Sequence, residues 1–295
     1  MSSTKVFLIT GCSSGLGLSL TRTILRTSST TGHKVIATSR NPSQTPSLVS
    51  EIHSQGGTWL LMDVSSTGLP SQVSAALQVH GRIDVLINNA GIGIGGAFEE
   101  QSMDDMRRLF DTNFFGSLQL IQLLLPSMRE RRGGTIINVS SAGVYQSLPG
   151  ISLYAASKWA LDGFTASLAA EVACFGIKVI LAIPGGMRTA LLAPEKMAGN
   201  IAVPSDAYKG TPVEYVFKVL QDSHGKQTID PEKAAERIVD AVDGVGMMEG
   251  RVEGLLRLPI GVETGTVMKA WGEGFLANVS KYEDVWRSCE FPDGQ

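Results

Sequence analysis

Short runs of β-branched and aliphatic residues alternate with helix-length amphipathic stretches along this chain, and that alternation restricts its fold more than any other feature. The strand-like runs are 6–10, 34–38, 58–63, 83–88, 135–140, 178–183 and 254–258. Strands separated by crossover helices pair in parallel, and a parallel sheet needs both faces covered. The pattern therefore predicts an α/β, doubly wound architecture: a seven-stranded parallel sheet with helices on both faces. Helix punctuation agrees. Leu16, Leu20 and Ile24 recur at helical spacing, Ser152 is a candidate cap for a helix running to the terminator Gly176, and Asp230-Pro231 opens another. Residues 190–228 break the rhythm with Pro194, Pro204 and Pro212 and with Tyr208, Tyr215 and Phe217. They read as a lid over a site, the competing reading being an inert surface excursion. The whole of 1–295 then forms one domain, with a C-terminal extension at about 259–295.

Composition narrows the partners. With 25 basic against 28 acidic side chains, a formal net charge of -3 and no polybasic run, the chain lacks the footprint of a nucleic-acid or anionic-membrane binder. Cys12, Cys174 and Cys289 are scattered and odd in number, which suits a reducing compartment. His33, His53, His80 and His224 have no ligand spacing, so no metal is expected, and Glu99-Glu100 with Asp104-Asp105 reads as a solvated helix start. The longest apolar helical stretch, 118–125, ends at Pro126 and is too short for a bilayer. No leader-like run precedes Lys5, and Pro292-Asp293-Gly294-Gln295 carries no lipidation signal. A cytoplasmic location is the resulting expectation.

The first strand ends in Thr10-Gly11-Cys12-Ser13-Ser14-Gly15-Leu16-Gly17 and a helix follows at once. In that context the glycines mark a dinucleotide-binding turn of a Rossmann fold: Gly11 turns the chain, Gly15 admits a pyrophosphate to the backbone, and Gly17 lets the helix sit close to the sheet. Gly11, Ser13, Ser14, Gly15, Leu16 and Gly17 form this part of the cofactor set, at a helix N-terminus suited to anions. The same residues satisfy G-x-S-x-G, the elbow of serine hydrolases, but that elbow needs a triad partner and neither His80 nor His224 stands in one. The second strand closes on Thr38-Ser39-Arg40 with no carboxylate for a ribose diol. Ser39 leaves room and Arg40 offers a planar cation for a 2′-phosphate, so NADP(H) is expected over NAD(H). Asp63 and Val64 fall beside the adenine, and a plain turn aspartate is the alternative for Asp63.

Ser141 lies at the carboxyl end of the fifth strand, where open parallel sheets bind ligands. Tyr154 and Lys158 follow at i and i+4 on one helix face. An ammonium beside the phenol, together with an oxidised nicotinamide, would lower the tyrosine pKa toward neutrality and make proton transfer feasible.

With these residues in place the chain resembles the classical short-chain dehydrogenase/reductase family. The matching pieces are the glycine turn, Asp63, Asn88-Asn89-Ala90-Gly91, Asn113 within Thr112-Asn113-Phe114-Phe115-Gly116, Ser141, the Tyr154/Lys158 pair, and Pro184-Gly185 with Thr189. The resemblance implies Tyr154 as acid/base, Lys158 as its tuner and ribose ligand, Ser141 as carbonyl binder and Asn113 as holder of a relay water. It implies that Asn89, Ala90 and Gly91 line the cofactor and that Pro184, Gly185, Met187 and Thr189 cradle the nicotinamide amide. It also implies a homodimer or homotetramer built on the helices around Asn113 and Tyr154. Ser14 stands where NADP-preferring relatives often carry a basic residue, which leaves Arg40 as the main charged reader of a phosphate. The expected activity is carbonyl reduction, or its reverse, on a hydrophobic ketone, aldehyde or secondary alcohol. A non-redox isomerase or cyclase reusing the site and a catalytically silent nucleotide-binding module are the alternatives. The apolar stretches 93–98 and 144–148 and the lid suggest a lipophilic substrate.

Overall fold

All seven expected strands form, and they form one sheet. The computed structural model describes residues 4–194, 197 and 200–291; residues 1–3 and 292–295, on which the readings of the two ends rest, lie outside the described residues, as do 195, 196, 198 and 199 of the lid. The strands are β1 (Val6–Ile9), β2 (Lys34–Ser39), β3 (Thr58–Leu61), β4 (Val85–Asn88), β5 (Gly134–Val139), β6 (Ile177–Pro184) and β7 (Arg257–Ile260). They lie in the order β3-β2-β1-β4-β5-β6-β7, every pair parallel. The order reverses between β1 and β4, so the ligand crevice of such a sheet opens at their carboxyl ends. β7 begins later than its expected run at 254, because Gly254 adopts a left-handed φ of 68° and turns instead of extending.

The helices are α1 (Gly15–Thr31), α2 (Pro46–Ser54), α3 (Leu69–His80), α4 (Met103–Phe110), α5 (Gly116–Glu130), α6 (Gly143–Gln146) and α7 (Ser152–Val172). They continue as α8 (Pro212–Asp222), α9 (Pro231–Asp243), α10 (Val262–Lys281) and α11 (Glu283–Arg287). The period-two alternation of the strands divides the core. Phe7, Ile9, Val85 and Ile87 pack with Leu16, Leu20 and Ile24 of α1 and Ala235 and Ile238 of α9. Leu8, Leu86 and Ile136 point to the other face, against Leu120 and Leu124 of α5 and Leu168 of α7. Each such side chain contributes about 1.5–3 kcal/mol on burial.

Several boundaries are settled by local chemistry. Asp230 accepts from the Glu232 amide at 2.8 Å and Pro231 fills the first turn of α9, as expected. Gly176 takes a left-handed φ of 71° behind the short 3₁₀ turn Ala173–Phe175 that ends α7. Ser152 is not the cap of α7; it is the first helical residue, preceded by Ile151 with no side-chain bond. Nor does Pro126 end its helix: α5 runs through it to Glu130, held by the buried Leu124 and Met128 on either side. Among the described residues no helix is long and apolar enough to cross a membrane.

Candidate active site

The turn between β1 and α1 is built around Thr10 and Asn89. The Thr10 hydroxyl accepts from the amides of Asn89 (3.0 Å) and Ala90 (2.9 Å), and the Asn89 side-chain amide donates to the Thr10 (2.8 Å) and Gly11 (3.2 Å) carbonyls. Asn89 therefore acts as a brace between β1 and β4. Gly11 has φ 72°, and a Cβ there would stand 2.9 Å from Ala90 Cα; Gly15 has φ 59°, and its Cβ would meet Thr189 Cγ2 at 3.2 Å. A Cβ on Gly17 would run into the Gly11 carbonyl and the Asn89 side-chain amide, so a bare Gly17 lets α1 sit close to the carboxyl ends of β1 and β4. α1 opens at Gly15 with no acidic residue in its first turn, which leaves the positive end of its dipole unopposed. Ser13 is exposed, while Leu16 and Cys12 turn into the core. Burial pushes the Cys12 thiol up to about 11, which makes it inert. These residues fit a dinucleotide: bare backbone, a helix N-terminus and no carboxylate. The buried His33 sits at the opposite end of the sheet, where its Nδ1 accepts from the Lys5 amide (3.2 Å) and its Nε2 meets Asp243 (3.1 Å).

At the end of β2, Ser39 is buried and accepts from the Trp59 indole N–H at 3.0 Å, so its hydroxyl belongs to the sheet edge. Arg40 is exposed and makes no hydrogen bond or ion pair among the described residues. Asp63 accepts from the Ser65 amide (3.1 Å) and hydroxyl (2.8 Å), the geometry of a turn aspartate. Val64 is buried under Gly116, whose Cβ would come within 2.8 Å of the Val64 Cβ.

Ser141, Tyr154, Lys158 and Asn113 converge beyond β4 and β5. A Cβ built on Gly143 would touch both the Ser141 hydroxyl (3.5 Å) and Tyr154 Cε1 (4.0 Å), and one on Gly91 would meet Asn113 Oδ1 (3.3 Å) and Lys158 Nζ (3.5 Å). Gly143 donates its amide to Ser141 Oγ at 3.2 Å. Lys158 donates to the Val139 carbonyl at 2.9 Å. Asn113 sits in a π-helical turn, Asp111–Phe115, between α4 and α5. Its Oδ1 accepts from the Ile92 amide (2.8 Å), and its Nδ2 donates to the Ile92 carbonyl (2.9 Å) and Ser157 Oγ (3.1 Å). Such π turns concentrate at functional sites.

In the protein alone burial sets the electrostatics. It holds the Tyr154 phenol above its ordinary value, opposed by its hydrogen bond with Ser141. Burial instead lowers Lys158 to about 8. The Lys158 amine is tied to the Val139 carbonyl, and desolvation dominates both side chains.

Past β6, Arg188 donates its amide to the Ile229 carbonyl (3.0 Å), Ile229 donates to Gly186 (3.3 Å), and Met187 and Ile229 form a bridge. Thr189 accepts from the Leu191 amide at 3.3 Å while its methyl leans on Gly15. The far end of residues 190–228 is thus pinned beside the segment expected to hold the nicotinamide. Its near end pairs with 95–100 through Gly95 to Asn200 (3.1 Å), Ala202 to Gly95 (2.9 Å), the Ser205 amide to Glu100 (3.3 Å) and the Tyr208 hydroxyl to Glu99 (3.0 Å). Glu99 and Glu100 therefore hold this segment, whereas Asp104 and Asp105 do occupy the first turn of α4 under the Ser102 cap. Tyr215, on α8, is 69% exposed.

Two groups were not visible as site residues in the sequence. Glu263, at the start of α10, accepts from Gln146 Nε2 (2.7 Å) and from the Gly186 amide (3.3 Å), bridging α6 and the turn after β6. Asp162, one turn beyond Lys158 and buried, accepts from the Tyr145 hydroxyl at 2.7 Å and pairs with Arg257 of β7. Its i+4 spacing from Lys158 was the only sequence signal.

Known proteins are similar to this chain in sequence and fold. Oxidoreductase BOA17 of Botryotinia fuckeliana (strain B05.10) is 34% identical over 283 residues, 96% of this chain and 98% of its own. The crystal structure of a short-chain dehydrogenase from Streptomyces avermitilis superposes with a TM-score of 0.82 at 33% identity, covering 98% of this chain and 100% of that one. A substituted actinorhodin polyketide ketoreductase crystallised with NADPH gives a TM-score of 0.70 at 26% identity over 88% of this chain and 97% of its own. The short chain dehydrogenase family matches residues 5–198, the stretch that carries the glycine turn, Asn113, Ser141, Tyr154 and Lys158. The chain therefore belongs to the short-chain dehydrogenase/reductase family and is an oxidoreductase.

Proposed function

We propose that this enzyme is an NADPH-dependent reductase of a hydrophobic ketone or aldehyde, reversible as an alcohol dehydrogenase. The observation that carries the reading is the convergence of Ser141, Tyr154, Lys158 and Asn113 next to a glycine cradle. Arg40, exposed at the end of β2 with no carboxylate beside it in sequence, supports the phosphorylated cofactor, and the actinorhodin relative crystallised with NADPH is consistent with it.

In this reading Gly11, Ser13, Ser14, Gly15 and the first turn of α1 hold the pyrophosphate, Arg40 the 2′-phosphate, Asp63 and Val64 the adenine end, and Ala90 and Gly91 the ribose. Pro184, Gly185, Met187 and Thr189 hold the amide end. The nicotinamide supplies or accepts the hydride. Ser141 Oγ holds the substrate oxygen, and Tyr154 gives that oxygen its proton. Lys158 supports the charge left on the phenol, which is costly in a buried site without a nearby cation. Asn113 fixes the backbone at Ile92 and positions the water that returns the proton. Residues 190–228 act as a lid, hinged at the Gly95 and Ile229 contacts, and close over the substrate.

The test is purified protein with apolar ketones and either NADPH or NADH. Faster oxidation of NADPH is expected. Preferential use of NADH would contradict the role of Arg40, and rearrangement of substrate without net NADPH oxidation would favour an isomerase.

A further inference from the structure

Ser141 is held unequally on its two sides. On one side β6 fixes the chain, the Ser140 amide donating to the Ala182 carbonyl (2.8 Å) and the Ala142 amide to the Pro184 carbonyl (2.9 Å). On the other side stands α6, and its Gly143 amide is the donor that orients Ser141 Oγ (3.2 Å). α6 is only four residues long, and a single helical turn is not stable on its own. Its place, and with it the aim of Gly143, must come from tertiary contacts.

Those contacts run to α7, the helix that carries Tyr154 and Lys158. The Tyr145 hydroxyl donates to Asp162 Oδ2 (2.7 Å), and the Trp159 indole N–H donates to the Val144 carbonyl (3.1 Å). Tyr145 also meets Trp159 edge-on, with ring centroids 5.0 Å apart. Its anchor is itself held: Asp162 is 2% exposed, and its carboxylate pairs with the Arg257 guanidinium from β7. Trp271 of α10 then closes the cluster over Tyr145 (5.5 Å) and Trp159 (5.3 Å). Arg257 and Trp271 lie beyond residues 5–198, the stretch that matches the family, so the C-terminal part of the chain supplies two members of the support. Burial, and then Asp162, hold the Tyr145 phenol well above its ordinary value, so it keeps its proton and serves as a donor only.

We infer that Tyr145 is a positioning residue: through Asp162 it locks α6 onto α7 and so sets Ser141 Oγ against the Tyr154 phenol. The inference rests on the reductase reading, in which Ser141 and Tyr154 meet on one substrate oxygen. A loosened Ser141 misplaces that oxygen relative to both proton and hydride, which costs rate more than binding.

The experiment has two arms. Amide hydrogen exchange of the full chain compares wild type with Tyr145→Phe, which keeps the ring against Trp159 and Trp271 and removes only the hydroxyl. Exchange across 141–146 should rise about tenfold in the variant while 154–172 stay unchanged. Equal exchange across 141–146 would overturn the inference whether or not the reductase reading holds. In the second arm, single-turnover ketone reduction from preformed NADPH complexes is measured for wild type, Tyr145→Phe, Ser141→Ala and the double variant. Tyr145→Phe should be slower by about tenfold, with Kd for NADPH and KM for the ketone within about twofold of wild type. In the Ser141→Ala background the same substitution should cost less than about twofold, because its effect passes through Ser141. A Tyr145→Phe rate near that of wild type, or the same loss in both backgrounds, would overturn the inference, the latter making Tyr145 a general support of the fold. A wild type that reduces no ketone would count against the reductase reading, and the exchange arm then decides the tether on its own.

Discussion

The role proposed for Lys158 would come at a cost in stability. Its ordinary pKa is 10.5 and burial lowers it to about 8. Below pH 8 the amine is charged in both the folded and unfolded states, and only the folded state bears the desolvation penalty, which reaches about 3 kcal/mol. The penalty fades as pH rises from 8 to 10.5, where the folded amine is neutral. Lys158→Met should therefore raise Tm by a few degrees at pH 7, less the loss of the Val139 contact, with the gain shrinking at pH 10, while abolishing activity. A lower Tm at pH 7 would show that the Val139 bond outweighs desolvation. Arg40 is the complementary case of a side chain with no task in the protein alone. A charge-assisted guanidinium–phosphate contact contributes about 1.5–3 kcal/mol. Arg40→Ala should thus weaken NADPH binding roughly ten- to a hundredfold and leave NADH binding nearly unchanged, as measured by fluorescence titration.

At the scale of elements, the loops around Ser141 depend on a helix remote in sequence. Glu263 links α6 to Gly186 through two hydrogen bonds, one of them long, and its carboxylate is exposed. Glu263→Ala should therefore have a modest effect, raising KM for cofactor and substrate about two- to fivefold with kcat within twofold, each neutral-donor bond contributing about 1 kcal/mol. A large fall in kcat would give Glu263 a direct part in the reaction. In the proposed lid, Tyr208 and Tyr215 should behave differently. Tyr208→Phe removes the bond to Glu99 that anchors the segment and should raise substrate KM, whereas the solvent-exposed Tyr215→Ala should change neither KM nor NADPH affinity. Equal effects of the two substitutions would mean that lid closure buries Tyr215 as well.

Across the whole molecule, features with short-range or periodic causes were legible in the sequence. The seven strands were, because alternation and β-branching are set by local sterics and by burial on both sheet faces. So were the glycine turn and the Tyr154/Lys158 face, which depend on spacing within one turn or one helix. Features decided by tertiary contact were not. The state of Lys158 depends on how completely α7 is buried, the task of Asn89 on β4 lying beside β1, and the placing of Glu263 on where the chain returns after β7. The exposure of Tyr215 likewise depends on which face of the amphipathic α8 meets the domain.

One comparison isolates the proton that Tyr154 is proposed to supply for carbonyl reduction from NADPH. Rapid mixing of a saturating apolar ketone with preformed NADPH complexes of wild type and Tyr154→Phe measures the reduction step apart from binding. NADPH oxidation by Tyr154→Phe should be slower by about a thousandfold, with its Kd for NADPH within a few-fold of wild type. Comparable oxidation rates in the two proteins would contradict it.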